Sequence, residues 1–177
     1  MKTHLIVTIT CPDRPGIVEQ ITEVLVRFSG NWEESHFARL GGDFAGIVRI
    51  SAAADNADAL AAALTALRSD QMTVTVKKGQ PPAAGEPAGH TLGELKLSGA
   101  DHEGIVHSVA AFLASRQINV ETMETEVVLA PISATPLFHM EARIKIPPGT
   151  SLPDLDTALQ QIGEELGVDI ALSSAAD

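Results

Sequence analysis

Residues 11–18 read Cys-Pro-Asp-Arg-Pro-Gly-Ile-Val and join a predicted strand to a predicted helix. Before them, residues 5–10 are apolar and β-branched, which is typical of a buried strand. Pro15 favours the first turn of a helix, where its missing N–H matters least, and Gly16 permits a sharp turn between the two elements. The apolar residues that follow recur at helical spacing and predict one buried face: Val18, Ile21, Leu25 and Phe28.

The same pattern occurs a second time, 88 residues later. The spacing Asp-x-x-Gly-Ile-Val at residues 13–18 recurs at 101–106, and Asn-x-Glu at residues 31–33 recurs at 119–121. The alignment needs no gap over this stretch. We therefore predict that the chain is a tandem repeat of one unit. The second helix face is predicted from its own apolar residues: Val106, Val109, Ala110 and Leu113.

Each half predicts the element order β-α-β-β-α-β. In the first half, Gly30 is expected to end the helix in a left-handed conformation, and Gly41-Gly42 is expected to turn a hairpin. In the second half the hairpin loop is longer and spans residues 129–136. The predicted fold class is α+β, with two ferredoxin-like βαββαβ domains in tandem, each with four antiparallel strands and two helices on one face.

A change of composition separates the halves. Residues 79–90 are rich in Pro, Gly and Ala and contain no large apolar residue. Because Pro removes backbone donors and Gly resists a fixed conformation, this segment cannot continue a sheet or a helix. We predict a first domain at 1–78, a linker at 79–90 and a second domain at 91–177.

Composition excludes several functional classes. The net charge of −11 repels phosphate backbones, and aromatic residues for base stacking make up only 3% of the 177 residues, so direct binding to nucleic acid is not expected. One cysteine allows no internal disulfide, and the histidines lack metal-ligand spacing. No apolar stretch approaches the ~20 residues of a membrane span. We expect a cytoplasmic protein that needs neither metal nor cofactor.

The two strand-to-helix loops are the best candidates for a ligand site. The first N–H groups of a helix carry partial positive charge and attract a carboxylate, and a glycine lets the ligand approach. Asp13 and Asp101 lie three residues before Gly16 and Gly104 and could accept hydrogen bonds from an ammonium group. Together these groups would bind an amino-acid zwitterion. The alternative is that both aspartates only cap the helix or the turn.

Two asparagines and the cysteine are further candidates. Asn31 and Asn119 open the strand after the helix, where an amide could donate to and accept from a zwitterion, or merely tolerate a left-handed conformation. Cys11 beside the first loop could be a nucleophile only if a histidine reached it. A small buried side chain is the favoured interpretation. Glu33 and Glu34 are interpreted as solvated surface residues.

With these residues in place, the chain resembles the ACT domain family of regulatory modules. The motif at residues 11–18, followed by a helix and Gly30-Asn31, is similar to the opening of an ACT domain. Two such domains together resemble the glycine cleavage system transcriptional repressor family. The resemblance implies a regulator, not an enzyme, with the βαββαβ fold.

The resemblance also implies a set of ligand contacts, often shared between two domains. Carried onto this chain, they are Asp13, Arg14, Pro15, Gly16, Ile17, Asn31, Asp101, Gly104, Ile105 and Asn119. The second loop departs from the motif, with His102 in place of the Arg and Glu103 in place of the Pro. Because Glu103 should repel a ligand carboxylate, tighter binding is expected at the first loop.

The implied partners follow from the same resemblance. They are an amino acid, with glycine as the implied effector, and a DNA-binding transcription activator through which the protein represses glycine cleavage genes. A homo-oligomer is compatible with this arrangement. Two alternatives stay open: an interaction module that does not bind a ligand, and a regulatory piece of one-carbon metabolism, since the motif also resembles the regulatory module of formyltetrahydrofolate hydrolases.

Overall fold

The computed structural model describes residues 1–80 and 89–175, and in these residues the βαββαβ order occurs twice. The first half contains β1 (Lys2–Pro12), α1 (Ile17–Arg27), β2 (Asn31–Leu40), β3 (Asp43–Ala53), α2 (Ala54–Thr65) and β4 (Thr73–Lys78). The second contains β5 (Thr91–Ala100), α3 (Ile105–Ser115), β6 (Asn119–Leu129), β7 (Pro136–Ile146), α4 (Leu152–Leu166) and β8 (Val168–Ser174). The predicted fold class is confirmed.

Each half forms one antiparallel four-stranded sheet, in the order β2-β3-β1-β4 and β6-β7-β5-β8. The first strand of each half is therefore central. In the first sheet a two-residue turn at Gly41 and Gly42 joins β2 to β3, with φ of 61° and 93°. Two successive positive φ angles are what a tight hairpin between twisted strands requires, as the sequence predicts.

Each sheet buries one face beneath its two helices. In β1, alternate side chains from Leu5 to Cys11 enter the core, and Ile21 and Leu60 cover them from α1 and α2. The second half repeats this arrangement around Leu95 and Leu97 of β5. The apolar alternation of the strands thus fixes which sheet face the helices cover.

The buried faces of the helices differ in part from the predicted ones. Val18 is 42% exposed, and Val106 and Ala110 are also exposed. The residues that point into the cores are one position earlier, at Ile17 and Ile105. The helix starts directly after the motif glycine, so the first helical side chain and not the second faces the sheet.

The predicted left-handed cap at Gly30 is wrong. Ser29 has the positive φ of 54°, whereas Gly30 does not. A Cβ on Gly30 would meet Leu60 Cδ2 at 3.0 Å and Leu25 Cγ at 3.4 Å. Glycine is needed here because α1 and α2 pack closely at this position.

The chain divides into two compact units, Met1–Ala84 and Gly85–Asp177. Most of the predicted linker 79–90 lies outside the described residues, so its bounds stay a prediction. Gly79, which is described, donates its N–H to the carbonyl of His4 at 2.8 Å. In the described residues no helix is both long enough and apolar enough to span a bilayer.

Gly163 of α4 offers a test of this packing. A Cβ at Gly163 would lie 2.6 Å from the carbonyl oxygen of Val168, which belongs to the β8 backbone and cannot move aside cheaply. Although Ala favours helices over Gly by about 1 kcal/mol, Gly163→Ala is expected to lower the free energy of unfolding by about 1–3 kcal/mol. Urea unfolding measures this.

The matched control is Gln161→Ala, at an exposed position of the same helix. Its free energy of unfolding is expected to change by less than about 0.5 kcal/mol. A Gly163→Ala protein as stable as this control would contradict the close packing of α4 on β8.

Candidate functional site

The first strand-to-helix loop lies at the hairpin end of its sheet. Pro12, the last residue of β1, pairs with Asp43, and the N–H of Asp13 donates to the carbonyl of Gly42 at 2.9 Å. Gly16 then turns the chain into α1 with a φ of 89°. L-residues with a side chain rarely adopt this conformation, so glycine is required for the turn.

No side chain caps the N-terminus of α1. The Asp13 carboxylate instead binds the guanidinium of Arg39 from β2, with 2.9 Å between Oδ2 and Nε. The helix-capping alternative for Asp13 is therefore wrong. The free first N–H groups of α1 leave a place where an anion can bind.

Other residues of this loop have different roles. Arg14 Nη2 donates to Gln20 Oε1 at 3.2 Å, and Pro15 is exposed. Ile17 is only 3% exposed, because its side chain belongs to the core. It can therefore offer a ligand only its backbone. Glu19 Oε2 lies 3.7 Å from the position that a Cβ on Gly16 would occupy, so one negative charge already stands at this helix start.

The second loop has the same backbone course. Asp101 donates its N–H to the carbonyl of Pro136 at 3.0 Å, Gly104 has a φ of 94°, and the side chain of Ile105 is buried. Among the described residues no side chain caps α3 and its first turn is free of acidic residues, while no atom other than those of Gly104, Glu103 and Ile105 lies within 4 Å of a Cβ position on Gly104. The space before this glycine is thus more open than that before Gly16.

This comparison weakens the expectation that the first loop binds more tightly. That expectation rested on the negative charge of Glu103, but Glu19 brings a carboxylate to the first loop as well. The relative affinity of the two loops stays a prediction to be measured.

Asn31 and Asn119 lie at the opposite end of their sheets from the loops. Asn31 is level with Ser51 and His4, eight residues along β1 from Pro12. At about 3.4 Å per residue, this separates Asn31 from the first loop by roughly 25 Å. One domain therefore does not bring the loop and its asparagine together.

A polar cluster that sequence reasoning missed lies beside Asn31. A β-bulge between Trp32 and Glu34 places the Glu33 carboxylate over the sheet, where His4 Nδ1 approaches Glu33 Oε2 at 3.1 Å. Arg49 Nε is 3.3 Å from the same oxygen. The prediction of a solvated Glu33 misses these contacts, which join different strands and have no signal in the spacing of residues along the chain.

The cluster lowers the pKa of Glu33 below its ordinary value. The largest cause is the interaction with the hydroxyl of Ser51, and His4 and Arg49 add to it against the opposing effect of burial. Ser51 is 1% exposed and its hydroxyl has no well-aligned hydrogen-bond partner among the described residues.

The second half repeats the bulge but not the cluster. The register shifts between Val120 and Thr122, yet Leu92 and Lys145 stand where the first half has His4 and Ser51. Leu92 cannot donate the hydrogen bond that His4 directs at Glu33, whereas Arg143 stands where the first half has Arg49.

Cys11 lies in the core and is 5% exposed. Burial raises the pKa of its thiol, and Arg14 opposes this only in part. The thiolate is the nucleophilic form, so the side chain is unsuited to nucleophilic catalysis. In the part of the chain that the structure describes, no three His, Cys, Asp or Glu side chains gather to hold a metal ion.

The Glu33 cluster predicts a pH-dependent stability. Because the pKa is lowered in the folded state, the contribution of Glu33 is present above the unfolded-state pKa of about 4.3 and is lost as pH falls through the folded value. Glu33→Gln is expected to lower the free energy of unfolding by about 1–3 kcal/mol at pH 7. The difference from the native chain should shrink below pH 4.

Denaturant unfolding at pH 7 and pH 3.5 measures both effects, with Glu121→Gln as the matched control. That variant is expected to be close to the native chain at both pH values. Equal losses in the two variants would show that the bulge itself and not the His4–Arg49–Ser51 environment is responsible.

Comparisons with known proteins agree with this architecture. Residues 3–77 match the model of the ACT domain family. The crystal structure of an unknown protein from Galdieria sulphuraria has a TM-score of 0.81 and 33% sequence identity, and the match covers 99% of this chain and 100% of that one. A crystal structure of a candidate glycine cleavage system transcriptional repressor has a TM-score of 0.74 and 21% identity, over 100% of this chain and 99% of that one. At that identity the likeness shows the fold alone.

One curated relative is an enzyme. Phosphoserine phosphatase SerB2 of Mycobacterium tuberculosis (strain ATCC 25618 / H37Rv) is 26% identical over 180 residues, which cover 97% of this chain and 41% of the phosphatase. The chain thus spans about two fifths of the length of that relative.

Proposed function

Because residues 3–77 match the ACT domain family, we propose that this chain is a regulatory protein that binds a small amino acid and passes the signal to a protein partner. One observation carries this proposal. In both halves a glycine with a positive φ opens a helix that no side chain caps, at Gly16 and Gly104. Such a helix start accepts the carboxylate of an amino acid.

Glycine is the first effector to test, and serine is the second. Glycine follows from the likeness in fold to a candidate glycine cleavage system transcriptional repressor, and serine follows from the phosphoserine phosphatase relative. In the first case the protein would repress glycine cleavage genes in the cytoplasm through a DNA-binding activator. In the second it would act as the regulatory part of amino-acid metabolism in a larger assembly.

A ligand that contacts both the first loop and Asn31 would need two copies of the chain. Since Asn31 lies roughly 25 Å from the loop of its own domain, an amino acid held by both must lie between two domains. In a twofold dimer the loop residues Asp13 and Gly16 of one copy would bind the ligand together with Asn31 of the other.

Calorimetric titration with glycine and with serine tests the proposal. Asp13→Ala and Asn31→Ala are each expected to weaken binding by about 10–100-fold, the size of a lost hydrogen bond to a charged group. Gly16→Val should abolish binding, because valine cannot adopt the φ of 89°. The matched variants Asp101→Ala, Asn119→Ala and Gly104→Val compare the second half. Unchanged affinity in all six would exclude both loops.

Mixing the Asp13→Ala and Asn31→Ala proteins tests the shared site directly. If the site is formed between two copies, each mixed dimer contains one intact site, and a statistical mixture regains about a quarter of the sites. If each copy binds alone, mixing restores nothing. The control is a mixture of Asp13→Ala with Gly16→Val, in which both lesions lie in the same loop and no site is restored.

One observation favours the interaction-only alternative. The Asp13 carboxylate is already bound to Arg39 and would have to exchange this partner for a ligand ammonium group. Arg39→Ala separates the two functions. It should strengthen amino-acid binding if Asp13 is a ligand residue and leave partner binding unchanged, whereas an interaction module would show no amino-acid binding in either form.

Because we propose that the protein acts through a DNA-binding partner, we expect that the isolated chain does not bind duplex DNA. Its net charge of −11 opposes the counterion release that drives such binding. Electrophoretic mobility at low and moderate salt is expected to show no shift. A salt-dependent shift by the pure protein would overturn the proposal that it acts through a DNA-binding partner.

A further inference from the structure

His102 connects the second loop to the far helix of its domain. Its ring nitrogen Nε2 lies 2.8 Å from the carbonyl oxygen of Leu166, the last residue of α4, and Nδ1 lies 2.9 Å from the carbonyl oxygen of Glu103. The ring thus bridges two carbonyl groups that are 63 residues apart in the sequence.

The chemistry of this bridge fixes the protonation state of the ring. A carbonyl oxygen can only accept a hydrogen bond, so each nitrogen needs its own proton. A neutral imidazole has one proton, which leaves the other nitrogen lone pair facing a carbonyl oxygen. Only the imidazolium cation can make both bonds.

The surroundings also favour the cation. Leu166 ends α4, and the carbonyl groups at a helix C-terminus carry partial negative charge. The charged side chains nearby in sequence are acidic: Asp101 and Glu103 in the loop, and Glu164 and Glu165 in the last turn of α4. On α3 the nearest titratable group is His107. The pKa of His102 is accordingly raised, first by the bonds to the two carbonyl groups and then by Asp101.

We infer that His102 is a proton-operated tether, which holds the β5–α3 loop against the end of α4 through both ring nitrogens when the ring is protonated and loses one of these two hydrogen bonds when the ring is neutral. The inference does not depend on the proposed amino-acid site. The first half lacks this device, because Arg14 at the equivalent position is permanently charged and bonds to Gln20 of its own helix.

The direction of the pH effect follows from the raised pKa. Below about pH 6.5 the ring is charged in both the folded and the unfolded chain, and the tether contributes fully to stability. The contribution of the bond that needs the second ring proton is lost as pH rises through the folded-state pKa of His102. Each unit by which this pKa exceeds 6.5 corresponds to about a tenfold difference between the two protonation states in the equilibrium constant for forming the tether.

Nitrogen-15 NMR of the full-length chain tests the protonation state. At pH 6 both ring nitrogens of His102 are expected to show the chemical shift of a protonated nitrogen, and its titration midpoint should lie above the ordinary histidine value of about 6.5. His107→Gln removes the neighbouring ring and confirms the assignment. A His102 ring that is a neutral tautomer at pH 6 would overturn the inference.

Amide hydrogen exchange, corrected for the intrinsic effect of pH, tests the tether itself. Protection of the Asp101 and Ser108 amides, which donate to the carbonyls of Pro136 and Gly104, is expected to fall severalfold between pH 6 and pH 9 in the native chain. His102→Gln should show the low protection at both pH values, and His107→Gln should keep the native response. A His102→Gln protein with the full native pH response would contradict the inference.

Discussion

The pairing of β1 on both sides is the constraint on which the first domain depends. Because β1 pairs with β3 and with β4, both edges of this strand are satisfied by backbone hydrogen bonds. Its alternating side chains then have one buried face, and α1 and α2 must cover it. The loop that follows β1 is placed at the hairpin end of the sheet for the same reason, with Gly16 making the turn. In the second domain, β5 is likewise paired on both sides, with β7 and with β8.

Most of this architecture was predictable from residue types. Three local signals indicate it: the alternation along β1, the double glycine at residues 41–42 and the helical spacing of apolar residues. The strand and helix patterns occur again in the second half. The errors at Val18 and Gly30 have different origins. The first depends on the residue at which α1 begins, and the second depends on the packing of Leu25 and Leu60 around Gly30 and not on local propensity.

The candidate site was predictable only as a set of residue types. The sequence indicates the loop glycines and the asparagines as candidates, but it does not place them at opposite ends of the sheet. That placement follows because β1 and β2 run in the same direction, one on each side of β3. The pairing of Asp13 with Arg39 and the cluster around Glu33 are contacts across strands. No spacing along the chain indicates them.

Ile17 belongs to two parts of the molecule at once. Its side chain fills the core at 3% exposure, and its N–H lies at the uncapped start of α1. In a saturation mutagenesis screen this position would therefore tolerate few substitutions whether or not a ligand is ever bound. In such a screen Asn31 would be as intolerant of substitution as Ile17 only if ligand binding is under selection, because Asn31 is exposed and lies outside the core. Tolerance at Asn31 is thus the more informative measure of ligand recognition.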